Sequence, residues 1–326
     1  MLITEMLSNN ALLYGDETSL VELEPSKNTR KEISWNRFDE LSNRICDALR
    51  QAGIKKGDKV AHLMKNCLEW LPIYFGILRT GAMVAPLNFR FDPETVRRCL
   101  ETAEARAFFF GPEFIEHARK VENTSKDVET FIFLGPDELK PDFAISYDDF
   151  VASGNNLTAD ISIESSDPAG LYFTSGTTGI PKAVLLTHNN LESACYAEKE
   201  HHHQTHEDNF LCIPPLYHTG AKMHWFGNLL VGARAVILKG ADPHSILKAV
   251  SDEQVSIVWL LVPWALDILF ALENGNCKLH DYDLSKWRLM HIGAQPVPPS
   301  LVHEWRKIFP RHQYDTNYGL TECTGP

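Results

Sequence analysis

The stretch AGLYFTSGTTGIPK, residues 169–182, joins an apolar run to a loop rich in glycine and hydroxyl residues. The run AGLYF has the character of a buried strand, and ligands of open α/β proteins bind beyond the carboxyl ends of strands. Gly176 and Gly179 would let the backbone approach a phosphate closely, and Lys182 would add a positive charge. The common P-loop is excluded, because it requires Gly-Lys-Ser or Gly-Lys-Thr after a fixed spacing. We therefore predict a phosphate-binding loop of another class rather than an ordinary surface turn.

Apolar strand patterns and amphipathic helix patterns alternate on both sides of this loop. Such alternation predicts parallel strands joined by crossover helices. We expect an α/β fold in which two interleaved, mostly parallel sheets are flanked by helices. The polar stretch near residues 135–167 is the predicted connection between two α/β subdomains.

The composition limits the classes of function. The 326 residues carry a formal net charge of -12, which disfavours nonspecific binding to nucleic acids or anionic membranes. The seven cysteines form no C-x-x-C pair, as expected of reduced thiols in a cytoplasmic protein. The sequence contains no apolar run long enough for a transmembrane segment.

The longer stretch YFTSGTTGIPKAVLLTH closely resembles the signature loop of the adenylate-forming superfamily. One departure is Ala183, where the family usually has glycine. Further segments resemble the family in the same order along the chain, namely PPLYHTG, GAQPVPPSL and YDTNYGLTE. The resemblance covers essentially all 326 residues and is greatest to the large N-terminal AMP-binding domain of fatty-acid and other acyl-CoA synthetases.

This resemblance implies roles for individual residues. Lys182 and the preceding loop would bind the β- and γ-phosphates of ATP, Tyr318 would stack on adenine, and Thr321 would contact the α-phosphate. Glu322 would ligate Mg²⁺, and His218 would lie near the substrate carboxylate, so that Lys182, His218, Thr321 and Glu322 are the implied catalytic residues. The other implied nucleotide-binding residues are Thr174, Ser175, Gly176, Thr177, Thr178, Gly179, Gly293, Ala294, Gln295, Pro296, Asn317 and Gly319. The implied acid pocket contains His218, Trp225, Val262 and Gly293.

The implied reaction joins a carboxylic acid to CoA with consumption of ATP. Attack of the carboxylate on the α-phosphate would give an acyl-adenylate and pyrophosphate, and the CoA thiol would then displace AMP. The apolar, aromatic segment 214–238 carries no acidic residue to pair with an amino group, which favours a fatty or aryl acid over an amino acid. An aryl acid, or loading of a carrier protein, remains an alternative, and a homodimer is possible.

The family's later motifs, including the lysine of a small C-terminal lid domain, do not occur in these 326 residues. We therefore expect a truncated N-terminal domain that is inactive or only binds nucleotide by itself. A nucleotide-binding module without catalysis is the alternative from another class of function. The histidines of HHHQTH, residues 201–206, could bind metal, but we interpret them as the exposed end of a helix.

Overall fold

The computed structural model describes residues 1–157, 160–174, 181–316 and 318–324. These residues form two compact units, each containing one sheet. Unit 1 comprises residues 1–15, 35–192 and 216–218, and unit 2 comprises residues 16–34, 193–215 and 219–326. The segment 16–34 from the N-terminal part of the chain thus contributes to the second unit, and the two units are interleaved in sequence.

The strands among the described residues are β1 (Thr18–Glu24), β2 (Thr29–Ser34), β3 (Lys59–Leu63), β4 (Met83–Pro86), β5 (Ala105–Phe110), β6 (Thr130–Phe133), β7 (Ile145–Ser146), β8 (Pro168–Thr174), β9 (Lys182–Thr187), β10 (Asn209–Cys212), β11 (Arg234–Leu238), β12 (Ile257–Leu261), β13 (Leu289–Gly293) and β14 (Gln313–Asp315). The α-helices are α1 (Ile3–Tyr14), α2 (Trp35–Gln51), α3 (Trp70–Arg79), α4 (Pro93–Ala103), α5 (Ile115–Glu122), α6 (Tyr147–Ser153), α7 (His188–His202), α8 (Thr219–Val231), α9 (Pro243–Asp252), α10 (Val262–Glu273) and α11 (Pro299–Ile308).

The sheet of unit 1 has the strand order β7-β6-β5-β3-β4-β8-β9. Its pairs are parallel, except that β8 and β9 run antiparallel. Phenylalanines of β5 and β6, such as Phe108 and Phe133, are fully buried against α4 and α5. The mostly parallel sheet with crossover helices confirms the predicted fold class in this unit.

The sheet of unit 2 has the order β14-β13-β12-β10-β11-β1-β2, and only the β1–β2 pair is antiparallel. A core cluster containing Val258, Met290 and Trp305 lies between this sheet and α9, α10 and α11. Strands β12, β13 and β14 are adjacent and parallel, so their carboxyl ends lie at one edge of the sheet. Residues that follow these strands are therefore brought close together.

Helix patterns in the sequence predict several boundaries correctly. The Asp92 side chain caps α4 by accepting hydrogen bonds from the backbone N–H groups of Glu94 (3.0 Å) and Thr95 (3.1 Å). Gly81, which follows α3, has φ +73°, a conformation that glycine adopts without strain.

The predicted connection at residues 135–167 lies inside unit 1. That segment contributes β7, which pairs with β6, and α6, which packs against α2. The chain passes from unit 1 to unit 2 after Glu192, within α7. The polar composition of the segment reflects the exposure of short edge elements rather than a boundary. Among the described residues, no helix is long and apolar enough to cross a membrane.

Candidate functional site

The signature loop leaves one strand and enters another of the same hairpin. β8 and β9 pair antiparallel, with Thr174 directly opposite Lys182. The Thr174 hydroxyl donates to the Lys182 carbonyl across 3.5 Å, and the Lys182 side chain is exposed. The two ends of the loop therefore lie side by side on paired strands of unit 1. The predicted loop residues themselves lie outside the described residues, namely Ser175, Gly176, Thr177, Thr178 and Gly179.

In unit 2, two predicted pocket residues lie at the carboxyl ends of neighbouring strands. Gly293 is the last residue of β13, is buried, and pairs with Leu261, the last residue of β12. Val262 follows immediately and is 3% exposed. Because β12 and β13 are parallel, Val262 and Gly293 lie at the same edge, where ligands of α/β sheets bind.

The residues after Gly293 turn sharply. Ala294 has φ +66°, a left-handed conformation that is uncommon for a residue with a side chain. Ala294, Gln295 and Pro296 are exposed, and α11 begins at Pro299. The turn thus exposes its backbone and the side chains of Ala294, Gln295 and Pro296 at the end of β13. Residues that line a nucleotide site must be accessible in this way.

The segment after β14 carries the predicted adenine, phosphate and metal contacts. Tyr318 is 82% exposed, so its ring is available for stacking, and Gly319 is also exposed. Thr321 is half-buried and Glu322 is exposed on a turn of 3₁₀ helix spanning Thr321–Cys323. An exposed carboxylate beside a hydroxyl suits Mg²⁺, which prefers oxygen ligands and retains water. Asn317 lies outside the described residues.

The two predicted acid-pocket residues of the segment 214–238, His218 and Trp225, belong to different units. His218 is exposed in unit 1, and its ring centroid is 4.2 Å from that of Tyr217, which packs edge-on against Phe89. Trp225 lies on α8 in unit 2 and is 1% exposed. Its burial agrees with core packing as well as with a place in the wall of an acid pocket, and its predicted role stays a prediction.

Unit 2 also contains a buried histidine cluster, defined here as Glu198, His202, His224, His291 and Asp315. Glu198 and His202 lie on α7, His224 on α8, His291 on β13 and Asp315 at the end of β14. The interpretation of residues 201–206 as an exposed helix end is wrong for His202, which is 4% exposed. Glu198 and His202 are four residues apart and share one face of α7, which is the only local sequence signal of the cluster.

Two carboxylates connect the rings of this cluster. Glu198 Oε2 is 3.0 Å from His202 Nδ1 and 2.9 Å from His224 Nδ1. Asp315 Oδ2 is 2.9 Å from His202 Nε2 and 3.0 Å from His291 Nδ1. The rings of His224 and His291 are 4.1 Å apart at their centroids. The cluster therefore ties α7 and α8 to the end of β14.

The environment shifts the pKa values of the cluster in opposite directions. Burial alone would lower the pKa of His202, but the Asp315 and Glu198 carboxylates outweigh it and raise that pKa to about 9. Burial lowers the pKa of His291 to about 4. Burial would raise the pKa of Glu198, yet His224 and His202 hold it well below its usual range. Both cluster carboxylates are thus ionised at neutral pH, because the pKa of Asp315 is also strongly lowered by its histidine hydrogen bonds despite burial.

Two curated proteins illustrate the similarity of this chain to known sequences. Acyl-CoA ligase sidI of Aspergillus fumigatus is 28% identical over 346 residues, covering 98% of this chain and 55% of the relative. Medium-chain fatty-acid–CoA ligase of Escherichia coli K12 is 26% identical over 279 residues, covering 83% of this chain and 48% of the relative. The chain spans about half the length of these curated relatives, 55% and 48% respectively.

The solved structures support the fold. The inhibitor-bound N-terminal domain of FACL13 from Mycobacterium tuberculosis matches with a TM-score of 0.86 at 23% identity, covering 99% of this chain and 77% of that structure. At this identity the match establishes that the two chains share a fold. It agrees with the two sheets and flanking helices described above.

The sequence profile of the AMP-binding enzyme family matches residues 7–326. The match includes the β8–β9 hairpin, the turn after β13 and the exposed segment after β14. The chain therefore belongs to the family of AMP-binding enzymes.

Proposed function

We propose that the protein of which these residues form part activates a carboxylic acid with ATP and transfers it to CoA. The observation that carries this proposal is the family match over residues 7–326, which includes every segment of the predicted site. In the first step a carboxylate oxygen attacks the α-phosphorus, and the bond to the β-phosphate breaks to release pyrophosphate. In the second step the CoA sulfur attacks the acyl carbon, and AMP leaves.

The hairpin of unit 1 would bind the triphosphate. Lys182 brings an exposed ammonium group to the point where the loop enters β9, and Thr174 brings a hydroxyl to the opposite strand. Their charge and donors suit phosphate oxygens. Two anions must meet in the first step, so neutralising the triphosphate is a main task of the site.

The edge of unit 2 would bind the nucleoside and the α-phosphate. The exposed Tyr318 ring offers a face for adenine, while Gly293 and Ala294 let backbone approach it closely. The Thr321 hydroxyl would donate to the α-phosphate, and Glu322 would hold Mg²⁺. Bound Mg²⁺ would supply positive charge to the phosphate oxygens.

The acid is proposed to be a fatty acid. Helix α8 carries no acidic side chain that would pair with the ammonium group of an amino acid. Trp225 and Val262 would provide apolar contacts, and His218 would lie near the carboxylate. Similarity to a medium-chain fatty-acid–CoA ligase agrees with a fatty acid, and similarity to 4-coumarate–CoA and indoleacetate–CoA ligases keeps an aryl acid as the alternative. A homodimer and a cytoplasmic location stay predictions from the sequence.

The test is acid-dependent exchange of labelled pyrophosphate into ATP. It would be measured on these 326 residues and on the complete product of the gene that encodes them, with short, medium and long fatty acids, aryl acids and amino acids. We expect exchange by the complete product with fatty acids, and thioester formation when CoA is added. Exchange with aryl acids alone would replace the fatty acid by an aryl acid, and transfer only to a carrier protein would replace CoA as acceptor.

Lys182→Ala should lower exchange by about 100-fold, because one electrostatic contact to the reacting phosphates is lost. The matched control is Lys248→Ala, since Lys248 is an exposed lysine of α9 paired with Asp252 at 2.7 Å. This control should leave exchange unchanged. If no acid supports exchange while ATP binds, the protein is a nucleotide-binding module and the proposed catalysis is wrong.

A further inference from the structure

Three residues of the buried histidine cluster lie close enough together to ligate one metal ion. One ligand atom each from Glu198, His202 and His224 lies within 4.8 Å of the other two, and all three residues are buried. From this geometry we propose that Glu198, His202 and His224 bind a transition-metal dication, with Zn²⁺ as the ion of choice. This site is separate from the Mg²⁺ contact proposed for Glu322.

Two of the three distances between ligand atoms are close to those of tetrahedral coordination, and the third, between the ligand nitrogens of His202 and His224, is at most 4.8 Å. Zn²⁺ bonds to imidazole nitrogen and carboxylate oxygen at about 2.0–2.2 Å, so neighbouring ligand atoms of a tetrahedron lie roughly 3.3 Å apart. Glu198 Oε2 lies 3.0 Å from His202 Nδ1 and 2.9 Å from His224 Nδ1. Outward movement of a few tenths of an ångström would therefore admit the ion. A water molecule would complete the coordination.

The His202 ring is buried, and its Nδ1 atom lies 3.0 Å from Glu198 Oε2. A bound metal ion would replace this direct contact, with Nδ1 and Oε2 both ligating the ion.

Asp315 provides the outer support that a metal-bound histidine needs. Histidine ligands usually donate their second ring N–H to a carboxylate, which fixes the ring and its tautomer. His202 Nε2 is 2.9 Å from Asp315 Oδ2, and the same oxygen is 3.0 Å from His291 Nδ1. The two carboxylates, Glu198 and Asp315, would balance the charge of one dication bound by neutral imidazoles.

Backbone contacts hold two of the ligands in position. Arg288 Nη2 donates to the His202 carbonyl at 2.9 Å, and Gln204 Nε2 donates to the His224 carbonyl at 3.2 Å. Gln204 is itself 2% exposed, so its amide is fixed by packing. Ligands held in this way need little rearrangement on binding.

The donor set selects the kind of ion. Two imidazole nitrogens with one carboxylate suit Zn²⁺ and related transition metals, whereas Mg²⁺ and Ca²⁺ prefer oxygen ligands throughout. A bound ion would connect the end of α7 to α8 and, through Asp315, to β14. Because the predicted nucleotide segment begins just after Asp315, the ion would stabilise the base of that segment.

The direct test is Zn²⁺ binding by protein that has been freed of metal with a chelator, using a chromophoric chelator as competitor. Competition is needed because exposed histidines also bind Zn²⁺ weakly. We expect one tight equivalent. Glu198→Gln should weaken this equivalent by more than about 100-fold, and Asp315→Asn by about 10- to 100-fold. The matched control, His280→Gln, changes a histidine whose side chain is 79% exposed and should bind like the wild type.

Co²⁺ provides a second measurement that needs no variant. Occupation of the site should give the intense visible bands of tetrahedral Co²⁺, and added Zn²⁺ should abolish them. A weak spectrum of six-coordinate Co²⁺ would overturn the proposal even if Glu198→Gln does not fold. Equal Zn²⁺ affinity of the wild type and a folded Glu198→Gln variant would also overturn it.

Discussion

Replacement of Arg79 by methionine should strongly destabilise unit 1. Arg79 is the last residue of α3 and is 8% exposed. Its guanidinium donates to Asp39 Oδ1 (2.5 Å), Asn43 Oδ1 (2.8 Å) and Ser8 Oγ (2.9 Å), and it also reaches the carbonyls of Asp39 (3.0 Å) and Thr4 (3.4 Å). One side chain thus joins α1, α2 and α3.

The expected loss in the free energy of unfolding depends on the Asp39 carboxylate that remains after Arg79 is replaced. Removing one partner of a buried ion pair costs about 3–5 kcal/mol, because the other charge stays in the interior. The Asp39 side chain is 19% exposed and keeps hydrogen bonds from Ser8 Oγ and Asn43 Nδ2, both at 3.1 Å. The cost for Arg79→Met should therefore be near the lower limit, about 3 kcal/mol.

The double variant Arg79→Met/Asp39→Leu tests the electrostatic part of this reasoning. Both charges are then absent and the apolar side chains fill similar volume, so most of the loss should be recovered. A residual loss of about 1–2 kcal/mol should remain, since the Thr4 carbonyl and the Asn43 amide oxygen lose their donor. Arg98→Met is the matched control, because Arg98 is 53% exposed and the loss of its solvent-screened pair with Glu94 should leave the urea midpoint nearly unchanged.

The assay is urea unfolding followed by circular dichroism, with the midpoint and slope compared between variants. A loss below about 1 kcal/mol for Arg79→Met would refute the reasoning. It would mean that the Asp39 carboxylate does not stay in the interior as an unpaired charge. A double variant that is less stable than Arg79→Met alone would refute it as well.

Three further predictions concern other buried groups. Burial lowers the pKa of His188 to about 4, whereas an unfolded histidine has a pKa of about 6.5, so His188 should lower the free energy of unfolding by up to about 3 kcal/mol as pH decreases from 6.5 through 4. A series of urea midpoints should show this decrease. His188→Gln should remove the part due to His188, while His291 and His312, whose pKa values burial also lowers to about 4, still contribute. In Gly154→Ala the new Cβ would lie 2.0 Å from the Arg44 carbonyl, so the midpoint should show a loss of about 1–3 kcal/mol, and an unchanged midpoint would contradict the close approach. Tyr172→Phe removes the 2.8 Å hydrogen bond between the buried hydroxyls of Tyr172 and Tyr74, so thermal unfolding should reveal a loss of about 1–2 kcal/mol that Tyr74→Phe reproduces.

Much of the parallel-sheet fold could be predicted because its signals are local. Helices α2 and α4 show apolar residues at helical spacing, α4 is capped by Asp92, and interior strands such as β5 are predominantly apolar. Strand β2 escaped prediction because it is polar and exposed at the edge of the sheet of unit 2. Strand β1 escaped because its sequence TSLVELE is partly polar, although most of it is buried between β11 and β2. The passage from unit 1 to unit 2 after Glu192 also escaped, since it falls within α7.

The family segments, read along the chain, were sufficient to name the candidate residues of the nucleotide site. Sequence alone could also indicate that Val262 and Gly293 lie at strand ends, because each ends a predominantly apolar run, whereas β14 before Tyr318 was not predicted. It could not indicate which strands are neighbours. That decision depends on the order β12-β13-β14, in which pairing between separate segments brings three carboxyl ends to one edge.

By itself, the sequence determined the α/β class, the family and the order of the segments that we propose bind phosphate, acid and nucleotide, because these depend on residues close together in the chain. Only the tertiary structure decided that His202 is buried beside Asp315, a residue 113 positions away. The physical reason is that burial and the proximity of charges arise from packing between distant elements. A row of histidines at a helix end is the same pattern whether solvent or two carboxylates face it, and only the fold of unit 2 distinguishes the two.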